Sequence, residues 1–336
     1  VDARSLILGK AADCGFAHQR VAALTATPWL DRFDAWLARG SHGSLHWLAE
    51  RRAERADPRL RLAQARSVLV LGIEHHHRRP PDPGGLTGQV ARYAWGRDYH
   101  NLVGKRLRKL QRSLRDEGIS CWGGVDTAPI LERSWAGAAG LGFGGKNSVQ
   151  ILPARGSWLF LAVLFVDVPL SPDLPLGDHC GTCTRCLDAC PTDAFRGPRD
   201  LHAPLCIAYW TIEERGPIPL ELRPKFGRWV FGCDVCQEVC PHNASPPDPD
   251  EQDLLPRHAW LDLPELLTAS DQALEARFTG TPLRRPGPDG LRRNAAVVLG
   301  NLGLPQAIPV LEEAVRTCSP LVAEHARWAL GQLSDV

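Results

Sequence analysis

The chain has 336 residues, of which 44% are hydrophobic and 23% charged, and its formal net charge is +1. That length suits about two domains and a small third, with enough apolar material for a packed core. The balanced charge excludes a generally basic surface, so any contact with nucleic acid has to come from a local patch. The longest apolar run, Trp158 to Val166, is too short for a membrane span, and the opening "VDARSLILGKAADCGF" holds only a short apolar stretch. A cytoplasmic protein without membrane contact is expected. Methionine is absent throughout.

The N-terminal half reads as mixed α/β. "SVLVLGI" (67–73), "ISCWGGV" (119–125) and "SWLFLAVLFV" (157–166) are apolar runs bounded by polar residues or glycine, the pattern of largely buried strands. Between the first two, "HNLVGKRLRKLQRSLRDEG" places Val103, Leu107, Leu110 and Leu114 on one helical stripe. The opposite face carries Lys105, Arg106, Arg108, Lys109, Arg112 and Arg115, a basic face expected to be solvated.

Polar residues cluster around these elements. His75, His76 and His77 follow the first strand; adjacent imidazoles on an extended chain cannot converge on one metal, so they are expected at the surface or lining a pocket. "RYAWGRDYH" (92–100) brings aromatics, Asp98 and His100 just ahead of the helix, where Asp98 suits a helix cap. Asp126 follows the second strand, a place where both functional and turn-forming carboxylates occur. "GLGFGGKNS" (140–148) matches G-x4-G-K, but Asn147 stands where a nucleotide-binding loop needs Ser or Thr, and the preceding residues read as helix. An ATPase is therefore excluded. The glycines suggest a tight turn whose backbone is open to something bulky, such as a non-nucleotide cofactor.

Eleven cysteines in a cytoplasmic chain point to metal or redox chemistry rather than disulfides. Cys180, Cys183, Cys186 and Cys190, followed by Pro191, form the C-x2-C-x2-C-x3-C-P run of bacterial ferredoxins. The fourth cysteine of such a run ligates the other cluster, so Cys180, Cys183 and Cys186 take Cys240 as partner. Cys190 joins Cys233 and Cys236, which leaves one ligand missing, and Cys206 is the remaining cysteine of the region. Zinc is the alternative for C-x2-C pairs, but it does not explain the repeated x3-C-P ending. Two [4Fe–4S] clusters are expected. Cys14, Cys121 and Cys318 are expected to be inert, buried thiols.

Residues 244–258, "ASPPDPDEQDLLPRH", read as a linker or wrap. Beyond it, "RNAAVVLGNL" (293–302) and "EHARWALGQL" (324–333) align through Ala295/Ala326, Leu299/Leu330, Gly300/Gly331 and Leu302/Leu333. With "PQAIPVLEEAV" between them they suggest a short HEAT-like helical repeat, an architecture that binds macromolecules. Arg284, Arg285, Arg292 and Arg293, with Asn294 beside them, are candidate phosphate contacts at its start, with a merely solvated basic turn as the alternative.

Taken together, "RYAWGRDYH", "VDTAPILER", "GLGFGGKNS", the two cysteine runs, "CIAYWTIEERGPIP", "LRPKFGRWVFGCDVCQEVCP" and "RRNAAVVLGNLG" resemble the epoxyqueuosine reductases, relatives of the reductive dehalogenases, across essentially the whole chain. The resemblance implies an α+β protein: a nitroreductase-like cobalamin-binding domain (1–166), a ferredoxin-like two-cluster domain (167–258) and a HEAT-like domain (259–336). It implies cob(II)alamin and two [4Fe–4S] clusters as cofactors. The partners it implies are a tRNA carrying epoxyqueuosine at the wobble position and an unidentified low-potential electron donor.

The reaction would be a two-electron, two-proton removal of the epoxide oxygen as water. The HEAT-like module would grip the tRNA backbone while the base is splayed out toward a buried cobalt. Asp126 matches the family's proton donor, and burial beside an apolar corrin would keep it protonated. Asp98, Tyr99, His100, Asp126, Lys146, Asn147, Ser148, Gln150, Ala208, Cys233 and Asp234 match positions around the cobalamin; Ala208 stands where relatives often carry Ser. A monomer is expected, in the absence of a heptad seam. A reductive dehalogenase would typically carry an export signal and no HEAT-like tail. A simple electron carrier would not bind cobalamin.

Overall fold

The computed structural model describes residues 2–249 and 251–334; positions 1, 250, 335 and 336, including Asp250 of the expected linker, lie outside it. The three expected strands appear as Ser67–Glu74, Cys121–Gly124 and Leu159–Val166, and they share one antiparallel sheet with His18–Ala23. Ser67–Glu74 lies between His18–Ala23 and Leu159–Val166, pairing Ser67 with Val166 and Gly72 with Leu161. Cys121–Gly124 closes the far edge, with Gly124 opposite Val163. All eight residues of Ser67–Glu74 are buried, which explains a continuous apolar run in place of alternation. His18–Ala23, "HQRVAA", is an edge strand with too little apolar pattern to read from sequence.

The helix Tyr99–Asp116 packs its stripe of Leu102, Val103, Leu107, Leu110 and Leu114 against this sheet and against Ile7 and Ala11. Each leucine so buried contributes about 2 kcal/mol. Asp98 caps the helix by accepting the His100 backbone N–H at 2.9 Å. Arg106 on the basic face donates to the Gly15 carbonyl at 2.8 Å and pairs with Glu251.

A second sheet ties the chain segments together. Thr87–Val90 runs parallel to Trp229–Phe231 and antiparallel to Trp260–Asp262. Val90, Trp95, Val230, Phe231 and Leu261 share one core with the C-terminal helices. Those helices, Gly287–Leu302, Ile308–Thr317 and Pro320–Ser334, form the expected repeat. The first and third touch through Gly300, where a Cβ would stand 2.9 Å from the Ala329 Cα. Residues 244–249 and 251–258 return over the N-terminal half: Leu254 is buried, and the Asp253 carbonyl accepts the Arg97 N–H at 2.7 Å. Among the described residues no helix is long and apolar enough to cross a membrane.

One expectation is narrowed and one corrected. His75 and His77 are not at the surface but buried, just beyond the buried strand Ser67–Glu74, which leaves the lining of an interior space as their place. His75 stacks on Phe160 at 4.2 Å, and burial holds its imidazole neutral, down to about 3. In "GLGFGG", the glycines face the chain itself. Gly140 (φ 68°) would place a Cβ 2.1 Å from the Leu174 carbonyl oxygen, and Gly142 (φ 76°) 2.2 Å from that of Ile151. Close backbone packing therefore demands glycine there.

Candidate active site and cluster centres

Asp126 sits just beyond the edge strand in a left-handed turn (φ 49°), a conformation that costs energy for a residue with a Cβ. The first turn of the helix Tyr99–Asp116 meets it there. The Tyr99 hydroxyl donates to Asp126 Oδ2 at 2.9 Å, and His100 Nε2 lies 2.9 Å from the same oxygen. His100 Nδ1 lies 2.8 Å from Asp98 Oδ1. Ionised carboxylates only accept, so an imidazole between two of them must donate from both nitrogens. Burial pulls His100 down, but the bonds to Asp126 and Asp98 outweigh it and raise the imidazole to about 9.

Desolvation pushes the Asp126 carboxyl up, and the bond from His100 more than offsets it, leaving Asp126 below the usual carboxylate range. The protonated Asp126 expected beside a bound corrin is a different state from this one: with its side chain 57% exposed, the bonds from His100 and Tyr99 favour the carboxylate. Rings stack behind the pair: His100 on Tyr99 at 4.1 Å, and Tyr99 on Phe160 at 4.4 Å. Glu132, which sequence reasoning passed over, stands near Asp126; burial pushes it up to about 8, and among the described residues its Oε1 has no hydrogen-bond partner.

Cys180, Cys183, Cys186 and Cys240 line one cavity together with Lys146, Asn147, His179, Arg185 and His242. The charges of Cys206, Cys190 and Cys186 act on Cys236, and those of Cys206 and Cys236 on Cys233. Burial raises the thiols of Cys206, Cys233 and Cys236, so thiolates there need a compensating cation. Among the described residues no three His, Cys, Asp or Glu side chains are placed to hold a single ion. Outside these groups, Cys14 is buried, while Cys121 and Cys318 are half-buried and face the carbonyls of Gln111 and Leu267.

The remaining candidates fall into three kinds. Lys146 and Asn147 pin the glycine turn to the cysteine loops: Lys146 Nζ donates to the Gly181 carbonyl at 2.8 Å and Asn147 Nδ2 to that of Cys236 at 3.1 Å. Ser148 (φ 64°) and Gln150 keep unpartnered buried oxygens, Ser148 Oγ and Gln150 Oε1, although Gln150 Nε2 donates to the Leu141 carbonyl at 2.6 Å. Asp234, next to Cys233, is buried and pushed up to about 6 by that burial. It accepts the Arg92 backbone N–H at 2.8 Å and faces the guanidinium groups of Arg92 and Arg79 at 3.3 and 3.5 Å. Ala208 is half-buried and immediately precedes the π-turn Tyr209–Glu213.

Three of the candidate tRNA contacts point inward. Arg293 is fully buried and donates to the carbonyls of Glu214 at 2.9 Å, Gly216 at 2.7 Å and Trp210. Asn294 Nδ2 serves those of Thr211 and Val230, at 2.9 and 3.0 Å. Arg292 is buried against the Ala269 carbonyl and pairs with Asp271 and Asp289. Basic residues in a helix that packs against a loop satisfy that loop's carbonyls before they serve solvent. Arg284 and Arg285 remain exposed.

Comparison with known proteins agrees with this arrangement. A family model described as "Epoxyqueuosine reductase QueG, DUF1730" matches residues 55–127, a "4Fe-4S double cluster binding domain" residues 179–243 and a "PBS lyase HEAT-like repeat" residues 291–317. The epoxyqueuosine reductase of Xanthomonas campestris is 39% identical, covering 98% of this chain and 96% of its own. That of Escherichia coli is 38% identical over 90% and 82%. A crystal structure of an epoxyqueuosine reductase with an epoxyqueuosine-modified tRNA-Tyr stem loop superimposes with a TM-score of 0.91 at 30% identity, covering 98% of this chain and 90% of that one. The enzyme of Streptococcus thermophilus does so at 0.88 and 28%, over 100% and 91%. The architecture is accordingly a nitroreductase-like cobalamin domain, a double-cluster domain and a HEAT-like region. The chain belongs to the epoxyqueuosine reductase family.

Proposed function

We propose that this chain performs its family's reaction, the reduction of epoxyqueuosine in tRNA to queuosine, with the proton held at the Asp98–His100–Asp126 array. The observation that carries the proposal is the doubly held Asp126 Oδ2, which accepts from both His100 and Tyr99 at 2.9 Å. Cobalamin, when bound, supplies the low-potential metal centre that passes two electrons to the epoxide. The unpartnered oxygens of Ser148 and Gln150 suit a ligand with polar amide edges, as a corrin has. We assign Cys180, Cys183, Cys186 and Cys240 to one [4Fe–4S] cluster and Cys190, Cys206, Cys233 and Cys236 to the other. A cubane takes one thiolate at each of four irons, which suits two quartets that do not close on a single ion.

The residues divide the remaining work. Covering Asp126 with substrate removes water from a carboxylate already within a hydrogen bond of an imidazolium, and desolvation favours the neutral pair. The proton then passes from His100 Nε2 to Asp126 Oδ2 and on to the epoxide oxygen as its carbon–oxygen bonds break. A second proton, taken up from solvent at His100 Nε2 and passed along the same path, completes water; two electrons form the carbon–carbon double bond, and Tyr99 steadies the carboxylate throughout. Asp98 keeps the proton on Nδ1, so that Nε2 is the nitrogen that is reprotonated. Residues 1–166 thus supply the proton array, 167–258 the clusters and 259–336 a buttress for the segment 210–216. We place the reaction in the cytoplasm, on a monomer served by a low-potential one-electron donor.

The test is anaerobic incubation of reconstituted protein with cobalamin, reductant and tRNA bearing epoxyqueuosine, followed by mass spectrometry of the nucleosides. Loss of one oxygen that requires cobalamin supports the proposal. Intact cluster and cobalamin spectra without conversion would refute it.

A further inference from the structure

Glu213 ends the π-turn Tyr209–Glu213, and its backbone is fixed from both sides. Arg293 holds the carbonyls of Trp210, Glu214 and Gly216. Glu214 accepts from the Tyr209 hydroxyl at 2.8 Å and from the Arg215 and Gly216 backbone N–H groups at 2.9 Å each. Among the described residues, Glu213's own carboxylate is left to a single hydrogen-bond partner, Arg285. Nε of Arg285 lies 3.2 Å from both carboxylate oxygens, and one terminal nitrogen lies 2.8 Å from Oε2. The two side chains are 24% and 55% exposed. They stand near the Asp126 array: the Asp98 backbone N–H donates to the Gly280 carbonyl at 2.7 Å, five residues before Arg285, and Tyr93, on which the charges of both Glu213 and Asp126 act, meets the Tyr99 ring edge-on at 6.1 Å.

This inference rests on the function proposed above. A base drawn out of an anticodon loop toward Asp126 exposes its Watson–Crick edge, which is how enzymes acting on extruded bases read them. Epoxyqueuosine is a 7-deazaguanine, whose edge presents the N1–H and the 2-amino group side by side as donors. A carboxylate matches two adjacent donors with two acceptors, the geometry in which the Arg285 fork now meets Glu213. We propose that Glu213 reads the Watson–Crick edge of the extruded 7-deazaguanine, and that Arg285 leaves it for a phosphate of the anticodon loop. Arginine pairs as well with phosphate as with carboxylate, so the exchange leaves no charge unpartnered.

The test measures binding by the holoenzyme of tRNA stem loops carrying epoxyqueuosine, guanosine or inosine at the wobble position. Inosine lacks only the 2-amino donor. The wild-type protein is expected to bind the inosine RNA about 10-fold or more weakly than the guanosine RNA. Glu213→Gln keeps one acceptor but turns donors toward donors, so it loses that preference, while Glu213→Asp keeps part of it. Arg285→Ala weakens all three RNAs alike and reduces the salt slope by about one. Equal wild-type binding of guanosine and inosine RNAs would overturn the proposal whether or not any variant folds. So would an undiminished preference in Glu213→Gln with intact cluster absorbance. Failure of the wild-type holoenzyme to convert epoxyqueuosine would instead count against the function itself.

Discussion

His100 Nε2 lies 2.9 Å from Asp126 Oδ2, and Asp98 Oδ1 lies 2.8 Å from the other nitrogen of the same ring. In the proposed mechanism this array would hold an imidazolium, not a neutral carboxylic acid, before substrate arrives. Proton supply would then not require that Asp126 be buried first.

The array sets a pH dependence of stability. His100 is raised from its ordinary 6.5 to about 9, so its contribution is complete below pH 6.5 and disappears as pH rises through about 9. Thermal melts of wild type and His100→Gln should differ most below pH 6.5 and converge above pH 9. A difference that stays constant across that window would contradict the assignment.

Replacing Asp126 by Asn removes the proton relay while preserving shape. Turnover should fall by about 10²- to 10⁴-fold with cluster and cobalamin spectra unchanged. Tyr99→Phe, which removes one of the two bonds to Oδ2, should cost about tenfold.

Cys206 stands apart from both cysteine runs, yet its thiol interacts with Cys190. In Cys206→Ser, anaerobic iron analysis should show roughly half the wild-type iron, because one cubane loses a thiolate and the other keeps all four. Full retention of iron would assign the ligand elsewhere.

Arg293 and Arg284 should separate cleanly. Arg293 serves three carbonyls from a fully buried position, so Arg293→Ala should destabilise the protein by roughly 2–4 kcal/mol in denaturant titration. Arg284 is exposed; Arg284→Ala should leave the unfolding free energy within about 0.5 kcal/mol of wild type.

Much of this was legible in the sequence, for reasons that differ by element. The strand "SVLVLGI" and the stripe Val103–Leu107–Leu110–Leu114 carry periodicity that burial dictates. The cysteine spacing suggests the ligand quartets; that Cys180, Cys183, Cys186 and Cys240 line one cavity is a property of the fold that spacing alone does not give. Charge state was not legible. Whether Asp126 or His100 carries the proton depends on distances between residues far apart in the chain. Nor was direction: Arg293 and Arg285 look alike in "RRPGPDGLRRN", but one faces carbonyls in the interior and the other a carboxylate at the surface. The edge strand His18–Ala23 escaped because half of its surface faces water and its pattern is polar.

The most direct test of the central claim is the pH profile of single-turnover conversion of tRNA-borne epoxyqueuosine, compared between wild type and His100→Gln. With the proton stored on His100, the wild-type rate should hold through neutral pH and fall above about 9. In His100→Gln, Asp126 must carry its own proton, and the alkaline limb should move toward acid by more than one unit. An alkaline limb unchanged by the substitution would contradict the account, because the proton would then come from a group other than this array.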